Sequence, residues 1–111
     1  MWKNSIYNKI LDYEIQQDKI NILFEKDDSA ELLSYNFEGK VMEIQAAPLE
    51  AHRLKIVHNK TFVYNNNSIY LLHSNKIDKI FDDTERFEDF LIEGNNIYVL
   101  FKNKIITGQI K

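Results

Sequence analysis

Strict alternation is the feature that most constrains this chain. Runs of four to six residues carry β-branched, aromatic or aliphatic side chains at every second position, and mostly two to four polar residues separate them. A period of two marks half-buried strands. Connections that short allow only antiparallel neighbours, because a parallel pair needs a crossover of about a dozen residues. The pattern predicts strands on Leu11–Ile15, Ile20–Phe24, Leu33–Phe37, Val41–Ile44, Leu54–Val57 and Thr61–Tyr64. Further strands fall on Ser68–His73, Lys76–Phe81, Asp89–Glu93, Asn96–Phe101 and Lys104–Gln109. Helix is compatible with three places only: Ser5–Leu11, Pro48–Arg53 and Thr84–Phe90. In the last, Asp82 or Asp83 would cap the helix, and Phe87, Phe90 and Leu91 would share a face.

A hairpin pattern recurs. An aromatic or aliphatic run, a polar turn and then Ile-x-aliphatic-Leu appear at Tyr13–Phe24, Phe62–His73 and Phe90–Phe101. The copies begin 49 and 28 residues apart. Solenoids and propellers show an even period, so the spacing reads as repeated hairpins and not repeated blades. On Ser68–His73 and Asn96–Phe101 one face reads as wholly apolar and the other as half apolar, which fits two packed sheets or a barrel better than one sheet with a wet face. The expected fold is all-β: an antiparallel meander of hairpins forming a small sandwich or barrel, with one to three short helices, in a single domain over 1–111. Ile20, Ile22, Ile69, Leu71, Ile97 and Val99 are expected on one buried face. Asn21, Tyr70 and Tyr98, at one repeat position, would gather on the other if their strands are neighbours.

Composition supports a packed globule. Of 111 residues, 44% are apolar and 13% aromatic, too many for a disordered chain. No apolar run approaches the length of a membrane-spanning helix. The start, MWKNSIYNKILDYE, has no long apolar stretch of the secretory type. There is no cysteine, hence no disulfide framework or thiolate site. A soluble, cytoplasmic domain is the expectation. The net charge of −3 is mild and argues against nonspecific nucleic-acid binding. Lys76, Lys79, Lys102, Lys104 and Lys111 read as lysines guarding strand edges.

The chemistry-bearing residues form no recognisable motif. His52, His58 and His73 lack the close pairing of zinc ligands. Three glycines cannot build a phosphate loop, and no nucleophile elbow occurs. The acids around Asp27 and Asp82 lack the calcium-loop pattern. No catalytic residue, metal or cofactor is therefore expected.

One charge feature stands out. Asp78–Glu93 holds seven acids against Lys79 and Arg86, a net −5 in sixteen residues, together with Phe81, Phe87 and Phe90. A second acidic stretch is Glu25–Glu31. Such stretches are ordinarily solvated loops. The functional alternative is a surface for a basic partner, in which acids speed encounter and aromatics supply affinity. Its contact residues would be Asp82, Asp83, Glu85, Phe87, Glu88 and Asp89. In size, acidity and absence of catalytic motifs the chain resembles bacterial immunity proteins that neutralise nuclease toxins. The resemblance implies a non-enzymatic inhibitor, monomeric or weakly dimeric, that occludes a basic nuclease active site. Two other readings remain open: a small barrel or sandwich binding a small molecule or sugar on an aromatic face, and a piece of a larger β assembly.

Overall fold

Two-residue turns set the register of the fold. In the structure, a computed structural model that describes residues 9–110, His58-Asn59 joins Val57 to Lys60 and Ser74-Asn75 joins His73 to Lys76. All four turn residues have φ between 48° and 65°. Positive φ at both centres is the backbone of the hairpin turn whose twist matches that of its strands. Gly94-Asn95 joins Glu93 to Asn96, with Gly94 at φ 61°.

These turns organise eleven strands into three antiparallel sheets in chain order. The first sheet is β1 (Lys9–Ile15), β2 (Lys19–Lys26), β3 (Ser29–Asn36) and β4 (Val41–Ala47). The second is β5 (Arg53–Val57), β6 (Lys60–Tyr64), β7 (Ser68–His73) and β8 (Lys76–Asp82). The third is β9 (Asp89–Glu93), β10 (Asn96–Leu100) and β11 (Ile105–Gln109). Within each sheet, spatial order equals chain order. Each of the eleven runs picked out by alternation falls on one of these strands to within one residue at its ends or inside it.

The second sheet is sandwiched. Leu23, Ala30 and Leu32 of the first sheet pack with Leu54, Val63, Tyr70 and Leu72 of the second. On its other side, Phe62 and Ile69 meet Phe90, Ile92, Ile97 and Val99 of the third. Edge-to-face rings stitch this second layer, with Tyr64 and Phe62 at 4.9 and 5.8 Å from Phe90. The sheets fan out from their first strands: β1 runs close beside β5, whereas β4 and β8 do not approach in the same way. A bulge in β1 turns Asp12 toward β5, where its carboxylate accepts the Leu54 amide at 2.8 Å. Inside the first interface, the Ser34 hydroxyl donates to the Asn21 side-chain oxygen at 2.6 Å, so this buried polar pair is satisfied.

Several expectations change. Three stacked sheets replace the two-layer sandwich or closed barrel, and no helix occurs among the described residues. Lys9 and Ile10 pair with β2 and Leu11 sits at the bulge of β1, while Ser5–Asn8 lies outside the described residues. Pro48–Arg53 is a turn, with the Ala51 amide on the Pro48 carbonyl, before Arg53 enters β5. Thr84–Phe90 cannot build a helical ladder, because the Phe87 and Glu88 amides are taken by the Asn66 and Leu100 carbonyls.

The repeat register also changes. Ranked by order within each sheet, β1–β2, β5–β6 and β9–β10 correspond, and the copy at Phe62–His73, on β6–β7, is one strand out of step. The equivalent turns, Gln17-Asp18, His58-Asn59 and Gly94-Asn95, lie 41 and 36 residues apart. That near-even period is blade-like, the reverse of the reading from 49 and 28. The expected single core face divides accordingly. Ile69, Ile97 and Val99 share one buried cluster with half-buried Leu71, while Ile20 and Ile22 stand half-buried on the far side of the first sheet.

Candidate functional site

The acid-rich segment is the end of β8, a loop over residues 83–88, and the start of β9. Its backbone is tied from three sides. Asn67 accepts the Asp83 amide on its carbonyl at 3.0 Å, and its side-chain amide donates to the Asp83 and Thr84 carbonyls at 3.1 and 3.2 Å. The Asn66 carbonyl holds the Phe87 amide at 2.9 Å and the Leu100 carbonyl holds the Glu88 amide at 2.7 Å. The local sequence Asn65-Asn66-Asn67 suits this: the Asn65 side chain turns the β6–β7 connection by accepting the Asn67 and Ser68 amides.

The structure places the six expected contact residues unequally. Asp82, Glu85, Glu88 and Asp89 are exposed and Asp83 is half-buried. Phe87 is only 5% exposed and packs against Phe81, Phe90 and Phe101 at 5.9 to 6.5 Å. It is therefore a core side chain that anchors the loop from beneath, and the expected surface role for its ring is corrected. Lys104 and Lys55 from elsewhere and Lys79 from within the segment also reach the acids. Lys104 meets Glu85 at 2.9 Å, Lys55 meets Asp89 at 2.8 Å, and Lys79 lies 3.7 Å from Asp82, which also accepts from the Ser68 hydroxyl. His73 pairs with Asp78. Asp83 caps the Glu85 amide at 3.0 Å, and Glu88 has no ion-pair partner among the described residues. The segment is thus less negative than its sequence suggests, because Lys55 and Lys104, distant in sequence, converge on it.

Two carboxylates are tuned by these contacts. Partial burial pushes Asp89 up, but the Lys55 ammonium and the Phe90 amide outweigh it and hold the carboxyl below its ordinary value. Glu50 is lowered by the Tyr70 hydroxyl, which donates to it at 2.8 Å. Tyr70 is correspondingly raised, first by burial and then by Glu50.

Asn21, Tyr70 and Tyr98 do not gather on one face. Asn21 and Tyr70 lie between the first two sheets, and Tyr98 faces away on the third. His52, His58 and His73 form no metal-holding group among the described residues. Among the described residues, clefts open at the sheet ends. One of about 560 Å³ lies between the β1–β2 and β5–β6 turns, lined by Gln16, Gln17, Asp18, Ile56, His58 and Asn59. Another, about 360 Å³, brings together His52, Asn65–Asn67 and both arginines, Arg53 and Arg86. Arg53 is already engaged by Asp12 at 3.4 Å. No helix among the described residues is long and apolar enough to cross a membrane.

The interlayer ties, Asp12 to Leu54 and Lys55 to Asp89, were not singled out in the sequence. Each joins residues more than thirty positions apart, and no local pattern marks such a pair. No family model, curated protein or solved structure matches the chain.

Proposed function

We propose that the chain is a non-enzymatic binding protein that presents the 82–89 acidic loop to a basic protein. The finer form of the proposal is an immunity role, with the loop covering the phosphate-binding cleft of a nuclease toxin. One observation supports it most: four exposed carboxylates sit on a backbone held by Asn66, Asn67 and Leu100 and anchored below by Phe87. A loop fixed before binding loses little conformational entropy on association. Its ion pairs with Lys104 and Lys79 are solvent-exposed and screened by water and salt, so a partner's cations can replace either lysine at small cost.

Co-purification from the native host with mass spectrometry identifies the partner, and binding is then measured at low and high salt. The reading expects a basic protein whose association slows as salt rises. Reversal of Asp82, Asp83, Glu85 and Glu88 to lysine should weaken that binding strongly. Equal affinity for the quadruple variant and wild type would overturn the proposal.

A further inference from the structure

The acid-rich segment contains one cation that no acid neutralises. Arg86 lies among seven carboxylates in sequence, yet it makes no ion pair among the described residues. Its guanidinium is held instead by a neutral group. With the Asn66 side chain in the orientation that satisfies both residues, its amide oxygen accepts from Arg86 Nε at 3.2 Å and from a terminal nitrogen. An amide oxygen orients a guanidinium without cancelling its charge. Arg86 lines the cleft of about 360 Å³ with Arg53, His52 and the 65–67 turn, and no carboxylate residue is among the described residues that line it.

The walls of that cleft are fixed before anything binds. The 65–67 turn stands between the two arginines. On one side the Asn65 side chain donates to the Glu50 carbonyl at 3.2 Å, and the His52 amide donates to the Tyr64 carbonyl at 3.0 Å. Arg53 follows directly and pairs with Tyr64 across β5 and β6. On the other side the Asn67 side chain donates to the Asp83 and Thr84 carbonyls, and the Asn66 carbonyl accepts the Phe87 amide. The stretch carrying Arg86 is thus clamped at both ends. Nearby acids are engaged elsewhere. The Glu50 carboxylate accepts the Tyr70 hydroxyl, Asp83 caps the Glu85 amide, and Glu85 meets Lys104. Asp12 touches Arg53 at Nε, at 3.4 Å, and the same oxygen accepts the Leu54 amide at 2.8 Å. The Arg53 side chain stays 62% exposed, with its terminal nitrogens turned to no acid among the described residues.

We infer that this cleft binds a small phosphate, free or as a monoester, between Arg53 and Arg86. Guanidinium forks match oxyanions in geometry as well as charge. A phosphate carries nearly two charges and at least three acceptor oxygens, enough to engage both forks, whereas a carboxylate carries one charge and two oxygens. The volume stands at the low end of the range of about 300–1,000 Å³ for small-molecule sites, which suits a phosphate with a small organic group and not a folded partner. Fixed walls lose little freedom on binding. The chain's net charge of −3 repels a distant anion, but that field is screened beyond about 8 Å at physiological salt, and the two guanidiniums dominate inside that distance. This inference goes beyond the acidic-loop reading and does not rest on it.

Titration of the isotope-labelled chain with sodium phosphate at constant ionic strength, followed by NMR, tests this. The expected result is saturable shifts of the 65–67 backbone amides and of the Arg53 and Arg86 Nε–H signals, half-complete at about 1 mM. Arg53→Gln and Arg86→Gln should each weaken binding about tenfold or more, with unchanged circular dichroism, since both side chains are exposed. Arg53→Lys and Arg86→Lys keep the charge and lose the fork, so they should recover binding only in part, and they replace a glutamine variant that fails to fold. His58→Gln, in the cleft beside the β1–β2 turn, should bind as wild type. Phenyl phosphate separates the two sources: tighter binding than inorganic phosphate marks an ester as the ligand, weaker binding marks the free anion, and both uphold the site. Acetate should bind at least about tenfold more weakly than phosphate. Shifts that stay linear up to about 50 mM phosphate, full affinity in both glutamine variants, or acetate binding as tight as phosphate would each overturn the inference.

Discussion

Lys55 of β5 reaches across to β9, where its ammonium meets the Asp89 carboxylate at 2.8 Å and the Phe90 carbonyl at 2.6 Å. The same ammonium stands 4.2 Å from the centre of the Phe90 ring. A charge one-quarter exposed and held by three groups ties the second sheet to the third at their first strands. Replacing Lys55 by Met keeps the aliphatic stem and removes the charge. The variant should lose about 1–2 kcal/mol in urea denaturation, the range for a partly screened charged hydrogen bond plus a cation–π contact. A double-mutant cycle with Asp89→Asn should show coupling of about 0.5–1 kcal/mol, because Asp89 is half-exposed.

Asp89 and Glu50 both have folded values depressed below their ordinary ones. Such groups contribute stability that is present above the unfolded value, about 4, and is lost as pH falls through the folded value. Thermal melts should therefore be level from pH 7 to about pH 5 in the contribution of these two groups and fall below that. The Asp89→Asn, Glu50→Gln double variant should melt lower at pH 7 and show a shallower acid decline. An unchanged acid slope would show that other carboxylates carry it.

Gly94 sits at φ 61° in the β9–β10 turn, and a Cβ there would meet nothing within 4 Å. The cost of Gly94→Ala is therefore backbone strain alone, about 1–2 kcal/mol for a left-handed residue. Chemical denaturation measures it directly, and the β-rich circular dichroism spectrum should stay unchanged.

Phe87 and Glu88 are neighbours with opposite expectations. Phe87→Ala empties a site among Phe81, Phe90 and Phe101 and should cost about 3–5 kcal/mol. Glu88→Lys alters an exposed side chain and should change stability by less than about 0.5 kcal/mol. If the loop binds a basic partner, Glu88→Lys is the variant that loses affinity at constant melting temperature.

Local pattern made the strands legible, and only contact made their layering legible. Alternation of single side chains marks a strand wherever one face is wetter than the other, so Ser68–His73 and Asp89–Glu93 have the same bounds in sequence and structure. Layering depends on which strand opens each sheet. The Ile-x-aliphatic-Leu signature matches β2, β7 and β10, but these rank second, third and second in their sheets. The signature marks a strand with an apolar face, not an equivalent place in a sheet. The acidic segment shows the same limit. Its charge was evident from composition, whereas the burial of Phe87 required knowing that Phe81 and Phe101 close over it. The three helices were suggested by apolar spacing in short segments, and the backbone hydrogen bonds of Phe87 and Glu88 to other loops removed the last of them.

Two isoleucines at one position of the sequence repeat separate the two registers by measurement. Ile69 on β7 is fully buried between the second and third sheets, while Ile20 on β2 is half-buried on the far face of the first. A repeat aligned by sequence assigns them the same burial and the same cost on truncation. The strand-rank register assigns Ile69→Ala about 2–5 kcal/mol, as for a packed core site. It assigns Ile20→Ala about half of that or less, because part of its surface is already in water and the lost burial scales with area. Urea titration of both variants at a concentration where the chain is monomeric decides the matter. Equal losses would restore the sequence register. A larger loss at Ile69 supports the register by strand rank, in which Ile69 faces a neighbouring sheet and Ile20 does not.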